Sequence, residues 1–283
     1  MTEAAGGSGG VRGPRTGSPA PARSAQRVAS VLAALAGSFL LLFLAAPIVE
    51  LVGVGGADGL QRLGSDAELR ASLLLTALTA TAATLVGVAC GTPLAYLLAR
   101  REFPGRAVLS AVLDLPLLIP HPVAGIALLL LLGRESAAGG AALELGLRIV
   151  GTPLGIIAAM LFVSAPLFVS GAREAFAKVD PRYEGVARTL GDAPWRAFRR
   201  VTLPLAGRGL LASAVVMWAR AVSEFGAIVI LTYNPKVASV LSYDRFTSFG
   251  LTEALPVAAA LAILALVPLT LLRALRTERR PDR

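Results

Sequence analysis

The chain has little of what soluble proteins and enzymes depend on. Only 16% of its 283 residues are charged while 55% are hydrophobic, too little polar surface to cover a large soluble core. It has one cysteine, Cys90, so no internal disulfide can form. It has one histidine, His121, and a lone imidazole lacks the partners of a metal site and reads as structural or as a residue at the lipid edge. No Ser, His and Asp set stands out, and a GxxxxGK[ST] phosphate loop is missing, so the chain does not bind ATP in that way. Neither a metal nor a cofactor nor an enzymatic activity is expected. An internal repeat of the kind found in many secondary transporters is also missing.

What is present is hydrocarbon. Windows of about twenty apolar residues fall at 28–52, 71–99, 107–133, 150–172, 209–232 and 255–272. The expectation is an all-α integral membrane protein with six transmembrane helices. The first window follows Arg23 and Arg27 but is longer than a signal core, and reads as an uncleaved helix. Residues 1–26, rich in Gly, Pro, Ala and Ser, read as a disordered tail. A membrane domain over 27–276 follows, then a short tail over 277–283. Pro116, Pro120 and Pro122 each remove a backbone donor, so the third window should be kinked or locally unwound.

Orientation follows from the basic residues. With both termini in the cytoplasm, 20 Arg and Lys fall on the inner side and only Arg62, Arg70, Arg134, Arg148, Lys236 and Arg245 on the outer. The net charge of +9 is accounted for by this asymmetry and by anionic lipid; nucleic acid need not be invoked. Within the fifth window, Arg220 and Glu224 stand four apart on one helix face. A bare charge at mid-membrane costs about 3 kcal/mol on insertion scales, so the two should pair or face water. A structural ion pair and a role in a translocation pathway, with Arg220 supplying positive potential for an anion, both remain open.

The polar segment 173–208 is the long cytoplasmic loop. Asp180 suits an N-cap and Pro181 the first helical position. Tyr183, Val186, Ala187 and Leu190 follow at one-face spacing, and Gly191 suits a left-handed C′ position. Asp192 and Pro194 can start a second short helix carrying Trp195 and Phe198. The first helix, about 15 Å long at 1.5 Å per residue, is too short to be stable alone, so it must dock. A loop lying on its own membrane is the plain alternative. A DNA-binding helix-turn-helix is excluded by the membrane spans on both sides.

This loop resembles that of the permease subunits of bacterial and archaeal ABC importers, whose pattern is Glu-Ala-Ala, a Gly after three residues, and Ile-x-Leu-Pro after nine more. Here Gly185-Val186-Ala187 precedes Gly191, and Val201-Thr202-Leu203-Pro204 follows at the family's spacing. Gly185 stands where the family usually has Glu, with Glu184 next to it. The stretches DLPLLIPHPVAGIALLLLLG (114–133) and WARAVSEFGAIVIL (218–231) resemble the branch that imports molybdate, tungstate or sulfate, and SYDRFTSFGL (242–251) leans to molybdate and tungstate. The resemblance implies the type I importer permease fold in the cell inner membrane. It implies a homodimer, a separate cytoplasmic ATP-binding subunit, and an extracytoplasmic oxyanion-binding protein. It also implies that Tyr183, Glu184, Val186, Ala187, Leu190 and Gly191 belong to a coupling helix seated in the ATPase. The runner-up is a secondary anion transporter or channel that uses no ATPase.

Overall fold

The computed structural model describes residues 22–277. The expected tails fall mostly outside the described residues, except that the first helix, α1 (Ala22–Ser65), already begins within the stretch read as a tail. The chain up to Val49 and the chain from Glu50 form two separate units. In the first, every side chain over 27–49 is exposed. Such a helix, apolar on all sides, suits hydrocarbon rather than water.

The second unit is built on three long helices, α2 (Ala67–Arg100), α6 (Pro153–Ala177) and α9 (Leu203–Val222). Asp66 starts α2 by accepting the Leu69 N–H at 2.9 Å. The helix packs along α6 and α9, and Gly91 allows the approach: a Cβ there would stand 2.8 Å from Phe168 Cδ1. Hydroxyls inside these helices donate to their own backbone one turn earlier. Thr76 bonds Ser72 O at 2.6 Å, Thr84 bonds Ala80 O at 2.7 Å and Ser164 bonds Met160 O at 2.6 Å. Polar groups thus satisfied can lie in an apolar interior.

Two expected spans are broken. The third is two helices, α3 (Arg106–Leu118) and α4 (His121–Leu132), bent by 115°. The break falls at Ile119-Pro120, where the run of prolines predicts it. The fifth expected span corrects the sequence reading: α9 ends at Val222 and a short helix, α10 (Gly226–Leu231), restarts after the break. No proline sits there. The break comes from Glu224, whose carboxylate accepts the Ala227 N–H at 2.8 Å and so opens a new helix. The α4 and α10 segments pack against each other. Their side chains Ala124, Leu128, Ala227, Ile228 and Leu231 join Ile156, Met160 and Val163 of α6 in one buried core.

A short helix, α5 (Ala137–Glu144), lies between α4 and α6. Four further segments carry the polar loop after α6 and the C-terminal part: α7 (Pro181–Thr189), α8 (Pro194–Ala197), α11 (Ala238–Phe249) and α12 (Leu251–Thr277). Among the described residues, four helices are long and apolar enough to cross a membrane, and the bent α3–α4 pair makes a fifth. The sixth expected span lies in α12, whose apolar part among the described residues covers Leu251–Leu266. The all-helical class therefore holds, with four to five spans counted where six were expected.

The Gly91 contact yields a test. Gly91→Val forces branched carbons into the α2–α6 seam and should cost about 1–3 kcal/mol. A lowered thermal unfolding midpoint of the purified protein in detergent is the expected result, with an unchanged midpoint for Gly37→Val, since a Cβ at Gly37 meets nothing within 4 Å.

Candidate functional site

Two polar constellations interrupt the apolar helices. The first sits where the two broken spans meet. Glu224, fully buried at 0% exposure, receives Arg220 Nη2 at 2.9 Å on Oε2 while Oε1 holds the start of α10. Its main-chain carbonyl accepts the Ser239 hydroxyl at 2.7 Å. The expected pairing of Arg220 with Glu224 is present, but Glu224 lies past the end of α9 rather than inside a continuous helix.

His121 is the residue sequence reasoning missed. It opens α4, and Arg220 Nη2 approaches its Nδ1 to 3.0 Å and its Nε2 to 2.7 Å. Glu224 Oε2 stands 3.4 Å from Nδ1. No spacing in the sequence announces a contact across 99 residues; only the proline-rich surroundings mark the place. A cavity of about 670 Å³ opens over the group, lined by Pro120, His121, Arg220, Ser223, Phe225 and Gly226. Glu224 is shut away while Arg220 and His121 are partly exposed, at 21% and 40%. The site therefore presents cationic and imidazole surface over a hidden counter-charge, an arrangement suited to meeting an anion weakly enough to release it.

The second constellation is the polar loop 173–208. Asp180 caps α7 through the Arg182 N–H at 2.8 Å, with Pro181 at the first position, as the sequence predicts. Gly191 has φ of 97°, the left-handed geometry expected of it. Tyr183, Val186 and Leu190 are exposed, Leu190 to 83%, and they share one face. Ala187 is only half-exposed and Glu184 faces the protein's own helices. Trp195 adds to the apolar surface, 68% exposed and stacked on Phe198 at 5.4 Å.

Asp192 requires a correction, because it does not cap the second short helix. Ala193 occupies the N-cap without a side-chain bond, and Asp192 instead pairs with Arg196 at 3.7 Å and Arg200 at 3.5 Å. Pro194 pre-sets the first turn in place of a side-chain cap. A π-helical turn, Phe198–Thr202, then leads directly into α9.

At the other end of α2 lies a charged network that the sequence shows only as scattered loop residues. Arg245 meets Asp66 at 2.7 Å and Glu68 at 3.1 Å, Lys236 meets Asp244 at 2.6 Å, and Arg62 meets Glu253 at 2.6 Å. The Lys236 ammonium, aided by the Tyr233 hydroxyl, holds the Asp244 carboxyl below its ordinary range. A depressed carboxyl stabilises the folded state above the ordinary carboxylate range, and that contribution is lost as pH falls through the lowered value.

The buried carboxylate yields a test. Arg220→Ala should leave Glu224 unpaired at a cost of about 3–5 kcal/mol, read as lost expression or a lowered unfolding midpoint. Adding Glu224→Ala should restore part of it, less than fully because α10 loses its cap. Recovery of expression without recovery of uptake would assign Arg220 to the pathway, and wild-type uptake by the double variant would remove it.

Comparison with known proteins fits this geometry. Residues 91–277 match the family described as binding-protein-dependent transport system inner membrane component. The molybdate/tungstate transport system permease protein WtpB of Thermococcus kodakarensis is 47% identical over 119 residues, 42% of this chain and 48% of that protein. The sulfate transport system permease protein CysT of Escherichia coli is 29% identical over 139 residues, 48% of this chain and 50% of that protein. The aligned region thus spans about half the length of these relatives. Among solved structures, a chain of a bacterial ABC transporter involved in the import of alginate superposes with a TM-score of 0.69 at 17% identity, over 92% of this chain and 99% of that one. A chain of the inward-facing MetNI methionine transporter gives 0.58 at 18%, over 75% and 96%. These likenesses carry the fold, and the match over 91–277 carries the family: the chain belongs to the binding-protein-dependent transport system inner membrane components.

Proposed function

We propose that the chain is the permease subunit of an ATP-driven importer for a tetrahedral oxyanion, molybdate or tungstate ahead of sulfate. One observation supports this above others: an anchored, capped short helix that leaves Tyr183, Val186 and Leu190 exposed and without a partner among the described residues. A helix with an uncovered apolar face between basic side chains is what a groove in a second protein takes up. In this reading α7 seats in a cytoplasmic ATP-binding subunit and Trp195 widens the contact. ATP binding and hydrolysis move the segment, and an extracytoplasmic binding protein delivers the anion to a homodimeric pore.

The substrate rests on the names of the relatives, molybdate/tungstate permeases first and sulfate permeases next, together with a site of Arg220 and His121 that suits an anion. Both termini lie in the cytoplasm in this reading, as the basic residues argue. Family membership speaks against the secondary transporter or channel, and the ATP-hydrolysing site belongs to the partner.

Two experiments test the proposal. Leu190→Asp places a charge on the contact face without touching a span. The variant should insert normally, lose the ATPase subunit on purification and lose uptake, whereas retention of both at wild-type levels would reduce the segment to a membrane-surface loop. For orientation, a cysteine replacing Ser136 should react with an impermeant thiol reagent from outside the cell and one replacing Thr189 should not; the reverse labelling would overturn the topology.

A further inference from the structure

Glu184 lies on the inner side of α7, away from the exposed face, and it touches two long helices at once. Its Oε2 accepts the Tyr96 hydroxyl of α2 at 2.8 Å. Its Oε1 accepts the hydroxyl of Thr202, the residue that hands the π-helical turn over to α9. Arg100, one turn beyond Tyr96 on α2, brings Nη2 to 3.7 Å from Oε1, an ion pair too long to be a hydrogen bond. Arg100 Nε and Nη2 are buried and have no hydrogen-bond partner among the described residues. Buried donors left empty are costly, and a guanidinium–carboxylate hydrogen bond is among the stronger ways to fill them.

The surroundings are stiff. Tyr96 packs edge-on against Phe176 at 5.5 Å and against Phe198 at 4.7 Å, so the hydroxyl is held by aromatic contacts from α6 and from the π-helical turn. From Thr202, α9 runs to the end that carries Arg220. A shift of the Glu184 carboxylate by about an ångström would exchange Thr202 for Arg100. That exchange would loosen α7 from α9 and tighten it on α2.

Resting on the ATPase-coupled reading above, we infer that Glu184 is the positioning residue that passes movement of α7 to α2 and α9. Its carboxylate has two seats, Thr202 with Tyr96 in this conformation and Arg100 with Tyr96 in the other. The residue acts through its own chain and not by contact with the ATPase. A two-seat element of this kind is what coupling between distant sites requires.

The test uses the complete transporter, with ATPase subunit and binding protein, in proteoliposomes, and measures molybdate taken up per ATP hydrolysed. Glu184→Gln keeps the shape and removes the charge that Arg100 needs; Tyr96→Phe deletes one oxygen from a packed ring. Uptake per ATP should fall about tenfold in Glu184→Gln and by a smaller factor in Tyr96→Phe, with the ATPase subunit still bound in both. A wild-type ratio in Tyr96→Phe overturns the inference, as does loss of the ATPase subunit from Glu184→Gln, which would make Glu184 a docking residue. If Glu184→Gln does not accumulate, Tyr96→Phe decides. Failure of the wild-type protein to bind an ATPase would instead sink the transporter reading itself.

Discussion

Everything in the second unit depends on one requirement: backbone that leaves a helix inside an apolar medium must find partners. The fold meets it by letting two broken spans meet at their breaks. Gly226 opens α10 directly against the opening of α4, where a Cβ would stand 2.8 Å from His121 Cβ and 3.0 Å from Pro122 Cδ. Glu224 then closes both ends of the gap, one oxygen on the Ala227 N–H and the other on Arg220, with its carbonyl taken by Ser239. The carboxylate is thus both a backbone partner and a counter-charge. That double use explains how a fully buried acid is held without a full desolvation penalty, and why the exposed members of the group are the cation and the imidazole.

The same economy governs the polar loop that carries α7. α7 is too short to persist alone, yet Tyr183, Val186 and Leu190 on its outward face are left uncovered. It stays folded because its inward face is polar and fully engaged: Asp180 caps it, and Glu184 is held by Tyr96 and Thr202 above the Phe176, Phe198 and Trp195 cluster. Anchoring by polar contacts leaves Tyr183, Val186 and Leu190 uncovered, which is what the proposed docking requires.

Legibility in the sequence followed the range of the interactions. Local chemistry could be read directly: the Asp180 cap, the Pro181 start, the left-handed Gly191, the kink at Pro120 and the pairing of Arg220 with Glu224 all appear as expected. The break after Val222 could not, because it has neither proline nor a turn signal and arises from a side chain taking a backbone donor three residues on. His121 was set aside as a lone histidine since its partners lie on a helix about a hundred residues later. Glu184 reads in the sequence only as a coupling-helix residue; its contacts with Tyr96 and Arg100 are as distant along the chain. Asp192 was misread because proline at the first turn makes a side-chain cap dispensable.

The two constellations are also ends of one object. α9 begins at the Thr202 that Glu184 holds and ends beside the Arg220 that His121 and Glu224 hold. Its flank lies against α6 and α2, with Met217 side-chain atoms filling the space over Gly87. A helix so tightly packed cannot absorb a displacement by bending, because close-packed interiors transmit strain. In the coupling proposed above, movement at Thr202 would be carried along α9 to the break beside Arg220. In the proposed reading, the break after Val222 is the place where a rigid push on α9 would become a change in how Arg220 is presented.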